Sequence, residues 1–113
     1  MQMQVQDAGE GLVNVALVGR LDTPGVDAIE TRLTAHLVPR GARAIVDLSQ
    51  VAFLGSGGIR MFISIARALT RRGGKLALYA PQPLVAEVLE TTSLNDIVPV
   101  RTDAASAAAA VRG

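Results

Sequence analysis

Apolar and polar residues alternate from the first position, with Met1, Met3 and Val5 interleaved among Gln2, Gln4 and Gln6. That period of two belongs to a strand with one buried face. A second β-like run, Leu12 to Val18, follows Asp7-Ala8-Gly9-Glu10-Gly11, so the opening segment predicts an antiparallel hairpin at a sheet edge. The period then changes. Val26, Ile29, Leu33 and Leu37 recur at helical steps, while Asp27, Glu30, Thr31, Arg32 and Thr34 fall mostly on the other side, the pattern of an amphipathic helix. Thr23-Pro24 predicts its start, with threonine as N-cap and proline at the first helical position, where a missing N–H costs nothing. Pro39 and Gly41 end it.

Ala44-Ile45-Val46-Asp47-Leu48 is short and almost entirely apolar, as expected of a central strand covered on both faces. Ile59, Phe62, Ile63, Ala66 and Leu69 mark a second amphipathic helix, closed by Gly73-Gly74, whose freedom at positive φ suits a C-terminal cap. Leu76 to Tyr79 predicts the next strand, Pro81-Gln82-Pro83 a third helix carrying Val85, Val88 and Leu89, and Ile97 to Val100 a last strand. Thr102 is the expected cap of an alanine-rich terminal helix, whose composition has high helix propensity. Strands alternating with helices imply parallel pairs joined by right-handed crossovers. The expectation is therefore a mixed α/β fold, with about five strands, an antiparallel hairpin edge and about four covering helices.

At 113 residues the chain has the length of a single domain, 1–113, and no segment reads as a linker between two cores. Half the residues are apolar, but only Phe53, Phe62 and Tyr79 are aromatic, so the core must be aliphatic. A net charge of +1 with both signs interspersed offers no footprint for nucleic acid. With no cysteine, disulfides and thiolate sites are excluded. No apolar run approaches the roughly 20 residues of a membrane span, and the first residues lack a signal-peptide pattern. These features predict a cytoplasmic protein with neither a metal nor a cofactor and no direct membrane insertion.

The most informative stretch runs Asp47-Leu48-Ser49-Gln50-Val51-Ala52-Phe53-Leu54-Gly55-Ser56-Gly57-Gly58-Ile59, and it is preceded by Gly19-Arg20-Leu21-Asp22. In order and spacing it resembles the STAS domains of the anti-sigma-factor-antagonist family, in which a strand ends in a D-L-S-like turn, an apolar pair follows, and D-S-S-G opens the second helix. The resemblance covers the chain from about Val13 to the end. It implies a partner switch: the motif serine, here Ser56, is phosphorylated by a cognate anti-sigma factor with serine kinase activity, and only the unphosphorylated form captures that factor, which then releases its sigma factor. The partner-binding surface implied comprises Asp22, Gly55, Ser56, Gly57, Gly58 and Arg60. Gly55 stands where the family usually has aspartate, and Gly57 where serine or threonine is common. The loss of a carboxylate beside the hydroxyl leaves open a constitutive binder as well as a phosphorylation-governed one.

Local physics is compatible with a switch. A serine at a helix start faces unpaired backbone N–H groups and the positive end of the dipole, which favour a phosphate. The plain structural role of Ser56 is an N-cap among glycines that shape a tight turn. Asp22 is a turn residue or part of the same rim, and Asp47 a hydrogen-bonder to the following turn or a functional carboxylate. Arg60, Arg67 and Arg71 lie near one face of the second helix and form either a solvated face or a surface for an acidic partner.

Catalysis finds little support. A G-x-S-x-G elbow needs glycine where Leu54 stands, and the only histidine, His36, falls on the Leu33/Leu37 side of the first helix or at its edge. No P-loop or G-x-G-x-x-G fingerprint occurs, since Arg60 takes the place of the last glycine. The expectation is a binding module, not an enzyme. Single STAS domains also resemble accessory subunits that dock on the ATPase of ABC-type phospholipid transporters, and this alternative predicts a different partner.

Overall fold

The computed structural model describes residues 1–112. Its elements are β1 (Gln2–Gly9), β2 (Leu12–Leu21), α1 (Thr23–Leu37), β3 (Arg43–Leu54), α2 (Ser56–Arg71), β4 (Lys75–Tyr79), α3 (Pro83–Thr91), a 3-10 turn (Leu94–Asp96), β5 (Val100–Arg101) and α4 (Ala104–Arg112). The strands form one sheet in the order β1-β2-β3-β4-β5. β1 pairs antiparallel with β2, and all later neighbours are parallel. The mixed sheet of five strands with four helices is as the sequence pattern predicts.

Alternation along the strands sorts side chains to two faces. Val13, Val15 and Leu17 of β2, Ala44, Val46 and Leu48 of β3, and Leu76 and Leu78 of β4 form one apolar layer with α1, α2 and α3. Phe62, Ile29, Leu33 and Leu69 are among its large, fully buried members from the helices. The opposite face is smaller: Leu12, Ile45, Ala77 and Tyr79 pack beneath Ala107, Ala108 and Val111 of α4. Ile45 and Val46 are thus buried on opposite sides of one strand, as the apolar run of β3 requires. α2 closes as expected, with Gly73 at φ +82°, its N–H bonded to the Thr70 carbonyl, and the Gly74 N–H bonded to the Leu69 carbonyl at 2.8 Å. That is the Schellman pattern.

Four local expectations are corrected. Thr23 is not the cap of α1; Asp22 is, with extended backbone and its Oδ1 accepting the Gly25 N–H at 2.9 Å, so Pro24 moves to the second helical position. A carboxylate suits the positive helix end better than a hydroxyl does. In the same way Asp103, not Thr102, caps α4 by accepting the Ser106 N–H at 2.8 Å. The last strand is Val100–Arg101 instead of 97–100, because Pro99 has no N–H to donate and the preceding residues Leu94–Asp96 form a 3-10 turn. Finally, β3 continues six residues past Leu48 to Leu54, since pairing with β2 persists through Val18↔Gln50, Gly19↔Val51, Arg20↔Phe53 and Leu21↔Leu54 after β4 has ended. That extension carries β3 to the rim where the candidate site lies.

Candidate functional site

β2 and β3 end side by side, with Leu21 opposite Leu54 and the Gly55 N–H bonded to the Leu21 carbonyl at 3.0 Å. Each strand then turns directly into a helix. Two helix N-termini therefore meet at the carboxyl end of the sheet, the edge where open α/β sheets present their sites. Asp22 caps one helix and Gly55 occupies the cap position of the other. Ser56 is consequently not an N-cap but the first residue of α2, exposed, and among the described residues its side chain makes no hydrogen bond. The capping role is ruled out by position.

The glycines divide by what surrounds them. Gly55 is extended at φ −99°, a conformation open to any residue. A Cβ there would meet Phe53 Cε2 at 3.1 Å, so a side chain at this position would need the ring to yield. At Gly58 a Cβ would come within 2.7 Å of Leu54 Cδ1 and 3.1 Å of Leu21 Cβ, which ties the first turn of α2 closely to the strand ends. Gly57 is different: its Cβ would lie 3.8 Å from Val26 Cγ2, an ordinary van der Waals contact. Gly25, unremarked in the sequence pattern, has the strictest demand, since a Cβ would fall 1.9 Å from the Arg20 carbonyl oxygen. The signal for it was the Pro24-Gly25 pair directly after the strand.

Arg20 and Phe53 join the rim, and sequence reasoning missed both as site residues. The Arg20 guanidinium lies 4.5 Å above the centre of the Phe53 ring, a cation–π distance, and its Nε is 3.5 Å from Asp22 Oδ2. Phe53 is 40% exposed while Phe62 and Tyr79 are buried, so the one aromatic ring open to solvent stands beside Gly55. The available signal was the inward spacing of Val51 and Leu54, which leaves Phe53 on the outer side. The hydrogen bond from the Gly25 N–H holds the Asp22 carboxyl below its ordinary pKa, with Arg20 contributing less and desolvation opposing.

Arg60 is exposed and shares an open groove of about 360 Å³ with Thr23, Val26, Asp27, Glu30, Gly57 and Ser64, between α1 and α2. Asp22, Gly55, Ser56, Gly57, Gly58 and Arg60 are thus gathered at one rim, though Gly58 is buried in it rather than displayed. Asp47 lies apart, in mid β3, and accepts the Ser49 N–H at 2.9 Å. His36 is exposed in the last turn of α1, the far end of that helix from the rim, about 20 Å along it. Among the described residues no cluster of His, Cys, Asp or Glu is arranged to hold a metal ion, and no helix is long and apolar enough to cross a membrane.

Known proteins share this fold. The STAS domain model matches residues 3–107, and the chain belongs to the STAS domain family. BtrV of Bordetella bronchiseptica, whose name gives it as a candidate anti-sigma factor antagonist, is 28% identical over 106 residues, covering 94% of this chain and 91% of BtrV. An anti-sigma factor antagonist from Mycobacterium paratuberculosis superposes with a TM-score of 0.86 at 25% identity, over 99% of this chain and 94% of that one. The anti-sigma factor antagonist SpoIIAA shares the fold in two states. Its unphosphorylated form gives a TM-score of 0.72 at 24% identity over 99% of each chain. The phosphorylated form from Bacillus gives 0.68 at 22% identity, over 90% of this chain and 93% of that one.

Proposed function

We propose that the chain is an anti-sigma factor antagonist that captures an anti-sigma factor with serine kinase activity through the rim around Ser56, and that phosphorylation of Ser56 releases it. One observation carries this reading: Ser56 is exposed at the first position of α2, on the rim where α1 also begins, and its side chain makes no hydrogen bond among the described residues. The names of similar proteins support the class of partner. A phosphoryl group at this position would sit against the free N–H groups of the first turn, so α2 itself tolerates it. The effect falls on the docked partner. About −1.5 to −2 charges appear where two surfaces meet, and repulsion with desolvation separates them. The chain acts here by binding, not catalysis, because its one imidazole, His36, is held a helix length from the serine.

The test is calorimetric titration of the purified anti-sigma kinase from the same organism with wild type, Ser56→Ala and Ser56→Asp, followed by incubation with ATP and phosphosite mapping. Tight binding by wild type and Ser56→Ala, loss of at least about tenfold with Ser56→Asp, and phosphate on Ser56 are expected. Binding indifferent to Ser56→Asp, with no phosphorylation, would make the chain a constitutive binder. Absence of binding, with retention of a transporter ATPase instead, would overturn the assignment.

A further inference from the structure

α2 carries Arg60, Arg67 and Arg71 and not one acidic residue. At steps of seven and four these arginines project within about 40° of one another around the helix, along roughly 16 Å of its length. Arg60, Ile63, Ser64, Arg67, Ala68 and Arg71 line an open groove of about 520 Å³. It shares Arg60 and Ser64 with the groove beside Gly57, so the two are continuous. On the other flank, Arg67 and Arg71 border a further hollow with Ala66, Thr70 and Ile97, and Ile97 is 48% exposed.

Among the described residues the charges of this face lack partners, as do those of Lys75 and Arg112, but only here do three such cations fall on one helix face. Arg20 pairs with Asp22 and Arg40 with Asp7. Arg32, Arg43, Arg72 and Arg101 each donate to a backbone carbonyl. Among the described residues, Arg60, Arg67 and Arg71 make neither an ion pair nor a hydrogen bond. Acidic Asp27 and Glu30 border the groove only at its Arg60 end; the linings around Arg67 and Arg71 hold no carboxylate. The helix dipole accounts for a cation in the last turn, at Arg71, but opposes one near the N-terminus, at Arg60. Three guanidinium forks in a row match carboxylates in bidentate fashion.

We propose that this arginine face of α2 is a docking groove for an acidic segment of the protein partner, one with carboxylates at helical spacing and an apolar side chain for Ile97. The identity of that partner rests on the function proposed above; the acidic character of the segment does not. A concave groove of side-chain dimensions, lined by arginine with half-buried Ile63 and Ala68 between, favours a protein segment over a flat anionic bilayer. Surface charges of this kind govern encounter and salt dependence more than residence.

Two arms test it. In the first, ¹⁵N-labelled protein is titrated with a short glutamate-rich helical peptide, and separately with phosphatidylcholine vesicles containing phosphatidylserine. Amide shifts confined to 60–71 and the neighbourhood of Ile97, abolished in Arg67→Glu/Arg71→Glu and retained in the control Arg32→Glu/Arg101→Glu, are expected. Scattered shifts, equal loss in the control, or preference for the vesicles would overturn the proposal. In the second arm the anti-sigma kinase is titrated. Arg67→Glu/Arg71→Glu should weaken binding about tenfold and flatten its salt dependence, whereas unchanged affinity would exclude the groove from that interface. A kinase that ignores wild type altogether would sink the assigned function while leaving the peptide arm to decide the groove. Arg67→Ala/Arg71→Ala repeats both arms should the reversed charges disturb folding.

Discussion

Asp22 does two things at once: its carboxylate caps α1 through the Gly25 N–H and steadies Arg20, which lies over Phe53. The hydrogen bond to Gly25 is the main reason its pKa is lowered. A lowered folded-state value means that the carboxylate's contribution is complete above the unfolded value, about pH 4, and is lost as pH falls through the folded one. Asp22→Ala should therefore lower the urea midpoint at pH 7, and the gap from wild type should narrow as pH is taken down from about 4 through the lowered folded-state value. Asp22→Asn, which still caps but does not titrate, should keep most of the stability with no such pH dependence in its own cap. Urea melts of the three proteins across this range decide the matter; a gap that stays constant with pH would show that ionisation of Asp22 is irrelevant to the fold. The rim's other particulars were partly visible in the sequence. Ser56 and its glycines announced themselves by composition, but that Gly25 and Gly58 are forced by close backbone and side-chain approach depends on contacts between residues distant in sequence.

At the scale of elements, the sequence pattern anticipated the five strands and four α-helices but not the 3-10 turn Leu94–Asp96, and the other errors gathered at boundaries. Caps were misplaced by one residue because Asp22-Thr23 and Thr102-Asp103 each offer two capping side chains, and only geometry selects the carboxylate. The length of β3 escaped because Ser49 and Gln50 interrupt its apolar run, while the pairing that sustains it comes from β2. The first hairpin also runs further than the sequence suggests: Gly9 pairs with Leu12, leaving the two-residue loop Glu10-Gly11 with φ of +55° and +79°. Two positive φ angles are the mark of a type I′ turn, for which Asn-Gly is the favoured sequence. Glutamate gains nothing there, being exposed, and strains its backbone. Glu10→Asn should stabilise the protein by roughly 0.5–1 kcal/mol, read as a higher urea midpoint at unchanged slope. A neutral or negative result would mean that the turn relaxes to another type in solution.

For the molecule as a whole, the two faces of the sheet carry different duties. α1 and α2 form both the larger core and the rim with its arginine groove, whereas α4 covers the opposite face with Ala107, Ala108 and Val111. Val111 is fully buried against that second layer, and the Arg43 guanidinium donates to its carbonyl, tying α4 to the start of β3. Its chain distance from Ser56 is matched by its place across the sheet, so the two sites share no partners and their effects should add. Val111→Ala removes two methyl groups from a packed interface and should cost roughly 1–3 kcal/mol of stability. Partner affinity at temperatures well below the melt should remain unchanged, because neither the strand ends nor α2 touches the vacated space. Ser56→Asp should show the reverse, near-normal stability with lost binding. Measuring melts and titrations on both variants separates the layers: a fall in affinity for Val111→Ala would mean that the sheet transmits packing from α4 to the rim, and that the α4 layer is part of the binding mechanism rather than support for it.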